Sequence, residues 1–326
     1  MHYSKIKNII LQTNILTLKM EHISQIIKET VEDVKPITTG LRILDSTIGG
    51  YYPGELTTIC GEEDCGKTAF VVSQLNLITV EQHIPTIIVL NNMPRKTFLS
   101  CMAAYYCSFE NVNVHSIMDD EQYSDKVKAY LDMLKESPLY VIRKETYEEN
   151  ALTPEIEGMI QTLGIKIVFV DEAGSFWMSE EHKSSAVSSY KTMAMKWNIP
   201  IVITACVWND REGIEGMKPF LRDVYLYCDI HGSDSVVGLF KYDRHYIYQD
   251  EHGRDLHDMV NMEILKCKGK AMKRRLLIPW GYLYLRDYAK READTLKQIQ
   301  VSGDSRLDHL IDKMDLTIVD DDLPIF

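Results

Sequence analysis

The chain has 326 residues, of which 45% are hydrophobic and 26% charged, and its formal net charge is −12. This composition is ordinary for a soluble globular protein, and the acidic balance counts against a broadly basic nucleic-acid-binding surface, although a local basic patch can still bind phosphates. No apolar run approaches the roughly 18–20 residues of a membrane span, and the N-terminal segment lacks the apolar core of a signal peptide.

The number and spacing of the cysteines indicate the cellular compartment. The chain has seven cysteines, an odd number without C-x-x-C spacing. Such a set fits buried thiols in a reducing cytosol better than a disulfide framework or a zinc site, so we expect a cytoplasmic protein.

The length fits one α/β core of roughly 200–250 residues with terminal appendages. We place an N-terminal segment with a linker helix at 1–37, the core at 38–287, and a C-terminal helix with an acidic tail at 288–326.

The segment before the core contains one clear amphipathic pattern. Residues 1–19 show none, but Met20–Val34 has apolar residues at helical spacing with charges between them. The apolar positions are Ile23, Ile26, Ile27 and Val31. A helix of this kind has to bury its apolar stripe on its own core or on a neighbouring subunit. A second short helix is predicted over Leu41–Thr47.

Residues 61–68 form the most informative segment, because they read G-x-x-x-x-G-K-T, the phosphate-binding P-loop. A short buried strand is predicted before it, at Leu56–Cys60, and the start of a helix after it, at Ala69–Leu75. This context aims backbone N–H groups and a helix N-terminus at a polyphosphate, so a chance match in a surface loop is the weaker interpretation. The predicted nucleotide-binding residues are Gly61, Glu62, Glu63, Asp64, Cys65, Gly66, Lys67, Thr68 and Ala69.

Two of these side chains have specific roles in the P-loop pattern. Lys67 is expected to reach the β- and γ-phosphates, and the Thr68 hydroxyl is expected to ligate Mg²⁺. The segment therefore predicts that the chain binds a nucleoside triphosphate, ATP or a relative, together with Mg²⁺.

Strands and helices alternate beyond the P-loop. The predicted strands are Thr86–Leu90, Leu139–Ile142, Ile165–Val170 and Ile199–Ala205. The predicted helices are Arg95–Cys107, Asp119–Lys135, Thr153–Leu163 and Glu180–Trp197. Because these strands lack polar alternation, they predict an α/β fold with a mostly parallel sheet covered by helices on both faces. The C-terminal strands are expected to be antiparallel, at Val236–Lys241, Val260–Lys266, Leu276–Pro279 and Tyr282–Leu285.

Two acids, Asp171 and Glu172, follow the predicted strand Ile165–Val170. An acid at the carboxyl end of a parallel strand lies where ligands bind in open α/β sheets. We therefore expect Asp171 to support Mg²⁺ and Glu172 to polarise the attacking water as a general base. The alternative, that Asp171 only caps the next turn, is weakened by the P-loop upstream, whereas for Glu172 both interpretations stay open.

Two charged segments are candidates for contact with a polymer. Asn209–Phe220 follows a buried strand and is rich in charged residues and glycine, so it is either a substrate-contacting loop or a solvated connection. Lys266–Arg275 carries six basic residues in ten, and alternation on a hairpin can place several of them on one face. They could meet the phosphates of a nucleic acid or of a neighbour's ATP, and the alternative is a solvated hairpin.

Several of these stretches resemble the motor domain of DnaB-type replicative helicases, over about residues 20–285. The resemblance rests on Thr39–Asp45, Gly49-Gly50, Pro53–Leu56, the P-loop through Phe70, Met93-Pro94, Ile199–Val202, Asp229–Asp243 and Lys266–Gly269. The stretch around the P-loop is typical of RecA-like ATPases, and the later matches favour the DnaB type. The resemblance implies a RecA-like core in a ring, usually hexameric, with ATP between subunits and single-stranded DNA in the channel. The linker helix of that family packs on the neighbouring subunit, and Met20–Val34 fits this part.

The chain departs from this family at three catalytic positions. Asn92 stands where the family has a catalytic Glu, Cys206 where it has a sensor Gln, and Lys268 where it has a trans-acting Arg. Asn cannot act as a base, and Lys lacks the planar fork with which Arg grips a phosphoryl group. The resemblance thus leaves Glu172 as the replacement base, and Lys268 or Lys266 as the positive charge at the subunit interface.

The C-terminal end is acidic. Residues 301–326 hold seven Asp against Arg306 and Lys313, a net charge of about −5, and are expected to be disordered alone. The last seven residues, Asp320–Phe326, look like the acidic tip of bacterial single-stranded-DNA-binding proteins. That resemblance implies docking on a replication partner, with Asp residues on a basic rim and Phe326 in an apolar pocket. A solubilising tail is the alternative.

Taken together, the residues favour an ATP-driven, DnaB-like helicase domain that acts on single-stranded DNA in replication. A first alternative is a hydrolysis-impaired, ATP-gated loader or regulatory scaffold, which Asn92, Cys206 and Lys268 motivate. A second is a recombination or regulatory ATPase of the RadA or KaiC kind, which the P-loop region alone would allow. The sequence shows neither a C-x-x-C zinc ribbon nor a duplicated core, which weakens this second alternative.

Overall fold

The computed structural model describes residues 35–91, 93–107, 117–118, 121, 124–144, 152–174, 180–207, 232–249, 253, 255–257, 259–268 and 270–279. Some of these residues, including all of 270–279, are described by their backbone alone. The predicted linker helix at 20–34, the charged loop at 209–220, the strand at 282–285 and the acidic tail lie outside the described residues. The elements below belong to the unit Pro36–Phe326.

The centre of this unit is a single eight-stranded sheet. Its strands are β1 (Leu56–Gly61), β2 (Thr86–Asn91), β3 (Leu139–Lys144), β4 (Ile167–Gly174), β5 (Ile201–Cys206), β6 (Ser235–Lys241), β7 (Met259–Cys267) and β8 (Lys270–Pro279). They lie in the order β3-β2-β4-β5-β1-β6-β7-β8. The first six in this order are parallel, and β7 and β8 add to β6 in antiparallel fashion. The prediction of an α/β fold with a mostly parallel sheet and antiparallel C-terminal strands is confirmed.

Helices cover both faces of the sheet, also as predicted. They are α1 (Arg42–Ile48), α2 (Lys67–Leu75), α3 (Arg95–Cys107), α4 (Ser124–Glu136), α5 (Leu152–Leu163) and α6 (Glu180–Trp197), and α2 continues into a π-helical stretch, Asn76–Glu81. Ile88 of β2 packs in the hydrophobic cluster that contains α1 to α4, whereas its neighbour Ile87 packs in the cluster of α5 and α6. Because side chains alternate along a strand, a strand covered on both faces is apolar at consecutive positions. Among the described residues, no helix has the length and apolar character needed to cross a membrane.

Several strands run past the ends that their sequence patterns predict, and two of these extensions reach charged candidate residues. β4 runs on to Gly174, so Asp171 and Glu172 lie within the strand instead of after it. β8 begins at Lys270 instead of Leu276, because its backbone pairs with β7 along its whole length. Backbone pairing with a neighbour extends a strand into charged residues, and charged side chains, lysines above all, are common at the edge of a sheet.

Candidate nucleotide-binding site

The P-loop joins the end of a central strand to the start of a helix. β1 lies between β5 and β6, and its last residue, Gly61, pairs with Cys206 and Leu239 of those strands. α2 begins at Lys67, directly after the loop. The loop and the N-terminus of α2 therefore lie at the carboxyl edge of the parallel strands, where open α/β sheets bind their ligands.

Glycine is required at both ends of this loop. Gly66, the N-cap of α2, has a φ of 100°, in the left-handed region that favours glycine. At Gly61, a Cβ atom would lie 2.4 Å from Cys65 Sγ and 2.5 Å from the carbonyl oxygen of Leu239. A side chain at position 61 would therefore collide with the neighbouring strand β6, which explains why the loop begins with glycine.

Lys67 is buried and folds back over the loop that precedes it. Its Nζ donates hydrogen bonds to the carbonyl oxygens of Gly61, at 3.1 Å, and of Glu62, at 2.5 Å. A buried ammonium group needs such acceptors, because burial removes it from water. The loop therefore holds a fixed positive charge at its centre.

Asp171 is tied to the P-loop helix and to β5 by two threonine hydroxyls. Thr68 Oγ1 donates to Asp171 Oδ2 and Thr204 Oγ1 donates to Asp171 Oδ1, each at 2.8 Å. Asp171 is 4% exposed, so these bonds replace the water that the carboxylate has lost. The structure thus brings together Thr68 and Asp171, the two residues that the sequence predicts to bind Mg²⁺.

The strand that carries Asp171 is irregular at this point. Between Val170 and Gly174 the register with β5 shifts, so that residues 171–173 lie opposite the single residue Thr204. Extra residues in one strand change the direction of its side chains, and such bulges are over-represented beside active sites. The irregularity allows β4 to present Asp171 to both threonines.

Sequence reasoning misses two of the side chains that hold Asp171. One is Thr204, and the other is Asn91 at the end of β2, whose Nδ2 donates to the Asp171 carbonyl oxygen at 2.9 Å. Both lie at or near the carboxyl ends of apolar strands, and a polar residue at such a position is the signal that could have identified them.

Sequence reasoning also misses a contact between the P-loop and a short 3₁₀-helix, Tyr242–His245, which directly follows β6. His245 Nε2 lies 2.8 Å from Glu62 Oε2, and Arg244 Nη1 donates to Asp64 Oδ2 at 2.9 Å. The partners are about 180 residues apart in the sequence, and no local pattern indicates their pairing. Two of the three acidic side chains of the loop therefore have basic partners.

Cys65 fills the inside of the loop. Its side chain is 1% exposed, and burial raises the pKa of its thiol to about 11, while the charge of Lys67 acts in the opposite direction. The thiolate is the reactive form of cysteine, so this residue packs the loop and does not supply a nucleophile.

The structure describes the other predicted site residues less completely. Glu172 lies on β4 next to Asp171, and its backbone alone is described, so its role as a base stays a prediction. Asn92 lies outside the described residues. Cys206 ends β5 as a half-buried residue beside Gly61, at the same edge as the P-loop. The remaining loop positions, Glu63 and Ala69, are exposed and half-buried, respectively.

The family of the chain follows from its match to a family model. Residues 36–275 match the DnaB-like helicase C-terminal domain. The chain belongs to this family. The matched range contains the P-loop, Asp171 and Lys268, so the residues that carry the resemblance lie within the matched domain.

Two solved structures share the DnaB-like, RecA-like fold. The ATPase domain of G40P aligns with a TM-score of 0.65 and 15% identity, over 82% of this chain and 94% of that chain. A DnaB-like replicative helicase, described with its interactions with primase, aligns with a TM-score of 0.64 and 15% identity, over 86% of this chain and 69% of that chain. At this identity the likeness concerns the fold. A search of curated proteins gave no significant match.

Lys268 of the DnaB-like domain lies at the opposite edge of the sheet from its own P-loop. β7 is antiparallel to β6, so its last residue, Cys267, lies near the amino ends of β6 and β1. The Lys268 side chain is exposed, and its Nζ lies 4.4 Å from the ring centroid of Tyr52, a cation–π contact. Lys266, the other candidate interface lysine, is buried. Lys268 therefore lies away from the P-loop of its own chain.

Proposed function

We propose that this protein is an ATP-hydrolysing DnaB-like motor domain that acts on single-stranded DNA in replication and works as a ring of subunits. The observation that carries the proposal is the hydrogen bond between Thr68 and Asp171, which joins the P-loop helix to the strand-end acid. Membership of the DnaB-like helicase family supports the same function.

In this function, the P-loop binds the triphosphate. Lys67 and the N–H groups at the start of α2 hold the phosphates. The hydroxyl of Thr68 and the carboxylate of Asp171 are the hard oxygen donors that Mg²⁺ prefers, so the residues present fit the metal. When bound there, Mg²⁺ would offset the negative charge that develops on the phosphoryl oxygens. Thr204 keeps the Asp171 carboxylate in the orientation that faces Thr68.

Glu172 orients the attacking water and accepts its proton. The support for this role is its position on the irregular segment 171–173 of β4, next to Asp171. Asn92, at the position of the family's catalytic Glu, has no group that could take up this proton.

Lys268 acts on the nucleotide of the neighbouring subunit, because it cannot reach its own. A lysine brings positive charge to the phosphates as a point charge, without the two parallel hydrogen bonds of an arginine.

The acidic tail ending at Phe326 docks on a replication partner, with its aspartates on a basic rim and the phenylalanine in an apolar pocket.

A second candidate function is an ATP-gated scaffold that loads or regulates a replication complex. Lys268 favours it: an arginine finger is worth roughly 10³–10⁵ in rate, and lysine lacks the fork that produces this effect. In such a scaffold, ATP binding drives assembly and turnover is minor.

Steady-state ATP hydrolysis, with and without single-stranded DNA, separates the two candidates, and Lys67→Ala serves as the blank. The motor function requires turnover that DNA stimulates and that Lys67→Ala abolishes, and Glu172→Gln should then remove turnover while nucleotide still binds. Turnover equal to the blank, together with nucleotide binding by the wild type, would refute the motor and leave the scaffold.

A further inference from the structure

The P-loop of this chain carries three consecutive acidic residues, Glu62, Glu63 and Asp64. A loop that holds a triphosphate brings these carboxylates close to negatively charged phosphates, and like charges at short range repel. Lys67 is the one basic residue within the loop. Binding of the nucleotide therefore benefits from positive charge brought in from outside the loop.

The 3₁₀-helix Tyr242–His245, here called the clamp, brings this charge to the loop. Because β6 is parallel to β1 and adjacent to it, the end of β6 and the clamp lie at the P-loop edge of the sheet. Consecutive residues of the clamp pair with alternate residues of the loop: Arg244 with Asp64 at 2.9 Å, and His245 with Glu62 at 2.8 Å.

The clamp is anchored to the core of the domain. The His245 ring stacks on the Phe240 ring with a centroid distance of 4.9 Å and an interplanar angle of 10°. Phe240 also meets Tyr242 edge to face, at 5.2 Å, and both pack with Leu256 in a small hydrophobic cluster. His245 therefore holds Glu62 from a fixed position, and the clamp limits how far the loop can move.

The two pairs differ in exposure. The side chains of His245 and Glu62 are 18% and 11% exposed, whereas those of Arg244 and Asp64 are 33% and 82% exposed. The inner pair holds the Glu62 side chain where little solvent reaches it. The outer pair offsets charge where a phosphate ligand arrives from solvent, and arginine keeps its charge at any working pH.

We propose that Arg244 and His245 are positioning residues for nucleotide binding, Arg244 by offsetting the charge of Asp64 and His245 by fixing the loop through Glu62. This inference rests on the proposed binding of a triphosphate to the P-loop. It adds that nucleotide binding requires two residues, Arg244 and His245, that lie outside the P-loop motif.

The first test is the affinity of the full-length protein for a fluorescent ATP analogue with Mg²⁺, measured by fluorescence anisotropy. Arg244→Ala should weaken binding by about three- to tenfold, because Asp64 then faces the phosphates without its partner. The double variant Arg244→Ala, Asp64→Asn should bind within about twofold of the wild type, because the carboxylate has gone as well. Lys241→Ala removes a positive charge from the end of β6 and should leave the affinity within about twofold of the wild type.

The second test concerns His245 and uses hydrogen exchange of the loop amides. His245→Ala should raise the exchange rate at residues 62–66 and weaken binding, whereas His245→Gln, which keeps an N–H donor for Glu62, should preserve part of both properties. A merely structural defect of the domain would also raise exchange in α5 and α6, on the other face of the sheet.

The outcomes separate this inference from the function on which it rests. No nucleotide binding by the wild type would overturn the proposed function and the inference with it. Binding by the wild type, with equal binding by Arg244→Ala, would overturn the charge-offset role alone. A double variant that binds no better than Arg244→Ala would do the same, and unchanged loop exchange in His245→Ala would overturn the role of His245.

Discussion

The hydroxyl of Thr68 and the carboxylate of Asp171, 103 positions apart in the sequence, are joined by a hydrogen bond of 2.8 Å. Thr204 holds the second oxygen of the same carboxylate. Because Asp171 is buried, its carboxylate depends on donors such as these two hydroxyls in place of water. One carboxylate thus connects the P-loop helix, β4 and β5, and its substitution is the most direct probe of the site.

Asp171→Asn keeps the size of the side chain and an oxygen that accepts from Thr68, but it removes the charge that supports Mg²⁺. We expect ATP hydrolysis to fall on the order of 100-fold or more, because the metal is worth several kcal/mol of transition-state stabilisation. Steady-state hydrolysis over a range of Mg²⁺ concentrations measures the effect. Asp132→Asn, at an exposed position on α4, is the matched control and should keep wild-type turnover. Full activity of Asp171→Asn would remove Asp171 from the metal site.

Gly61→Ala should destabilise the fold by about 1–3 kcal/mol, because the new Cβ meets the backbone oxygen of Leu239 and the strand cannot move cheaply. Chemical denaturation measures the loss. Gly158→Ala is the control with opposite sign: a Cβ at Gly158 meets nothing within 4 Å, and alanine favours the helix α5 by about 0.5–1 kcal/mol. Equal and small effects at the two positions would contradict the close approach of the P-loop to β6.

Cys65 should make the fold sensitive to alkaline pH. Burial raises the pKa of its thiol from 9.0 to about 11, so the folded chain keeps a proton that the unfolded chain loses above pH 9. The stability that Cys65 contributes is complete below pH 9 and decreases as the pH rises toward 11, by about 2–3 kcal/mol in all. The measurement is the free energy of unfolding of wild type and Cys65→Ala at about pH 8 and about pH 10.5. An equal alkaline loss in both proteins would show that Cys65 is not the cause.

Lys268→Arg should increase ATP turnover, because the guanidinium can form two parallel hydrogen bonds with a phosphoryl group. Lys268→Ala should lower turnover and leave nucleotide affinity unchanged, since this residue lies at the edge opposite to its own P-loop. Lys128→Ala, on the exposed side of α4, is the control for loss of a positive charge.

Mixing subunits tests whether Lys268 acts between them. Lys67→Ala subunits lack the P-loop lysine but retain Lys268, and Lys268→Ala subunits have the reverse defect. A mixture should hydrolyse more ATP than either variant alone, because a Lys268→Ala subunit with an intact P-loop can then lie beside a Lys67→Ala subunit that retains Lys268. Absence of recovery in mixed assemblies would refute action across an interface.

Much of the fold is predictable because its causes are local in the sequence. The glycines and the lysine of the P-loop, the uninterrupted apolar strands and the helical spacing between them identify the α/β sheet. The structure gives α3 and α6 the bounds that their sequence patterns predict, Arg95–Cys107 and Glu180–Trp197.

The parts that sequence reasoning misses depend on contacts between distant segments. Thr204 and Asn91 become site residues because β5 and β2 flank β4, an order that the sequence does not specify. Arg244 and His245 reach the P-loop because β6 pairs with β1. The extension of β4 past Asp171 has the same origin, since β4 pairs with β2 as far as Asp171 and pairs again with β5 at Gly174.

β7 runs from the P-loop edge of the sheet to the opposite edge, where Lys268 lies. It starts near the end of β6, at the P-loop edge, and finishes beside Lys268. A strand of nine residues, at about 3.3–3.4 Å per residue, spans between 25 and 30 Å. A subunit that holds one nucleotide in its P-loop and reaches a second with Lys268 keeps the two at a separation set by this strand. On the proposed role of Lys268, a stiff strand of the core, and not a flexible loop, therefore separates the P-loop from the lysine that contacts the next nucleotide.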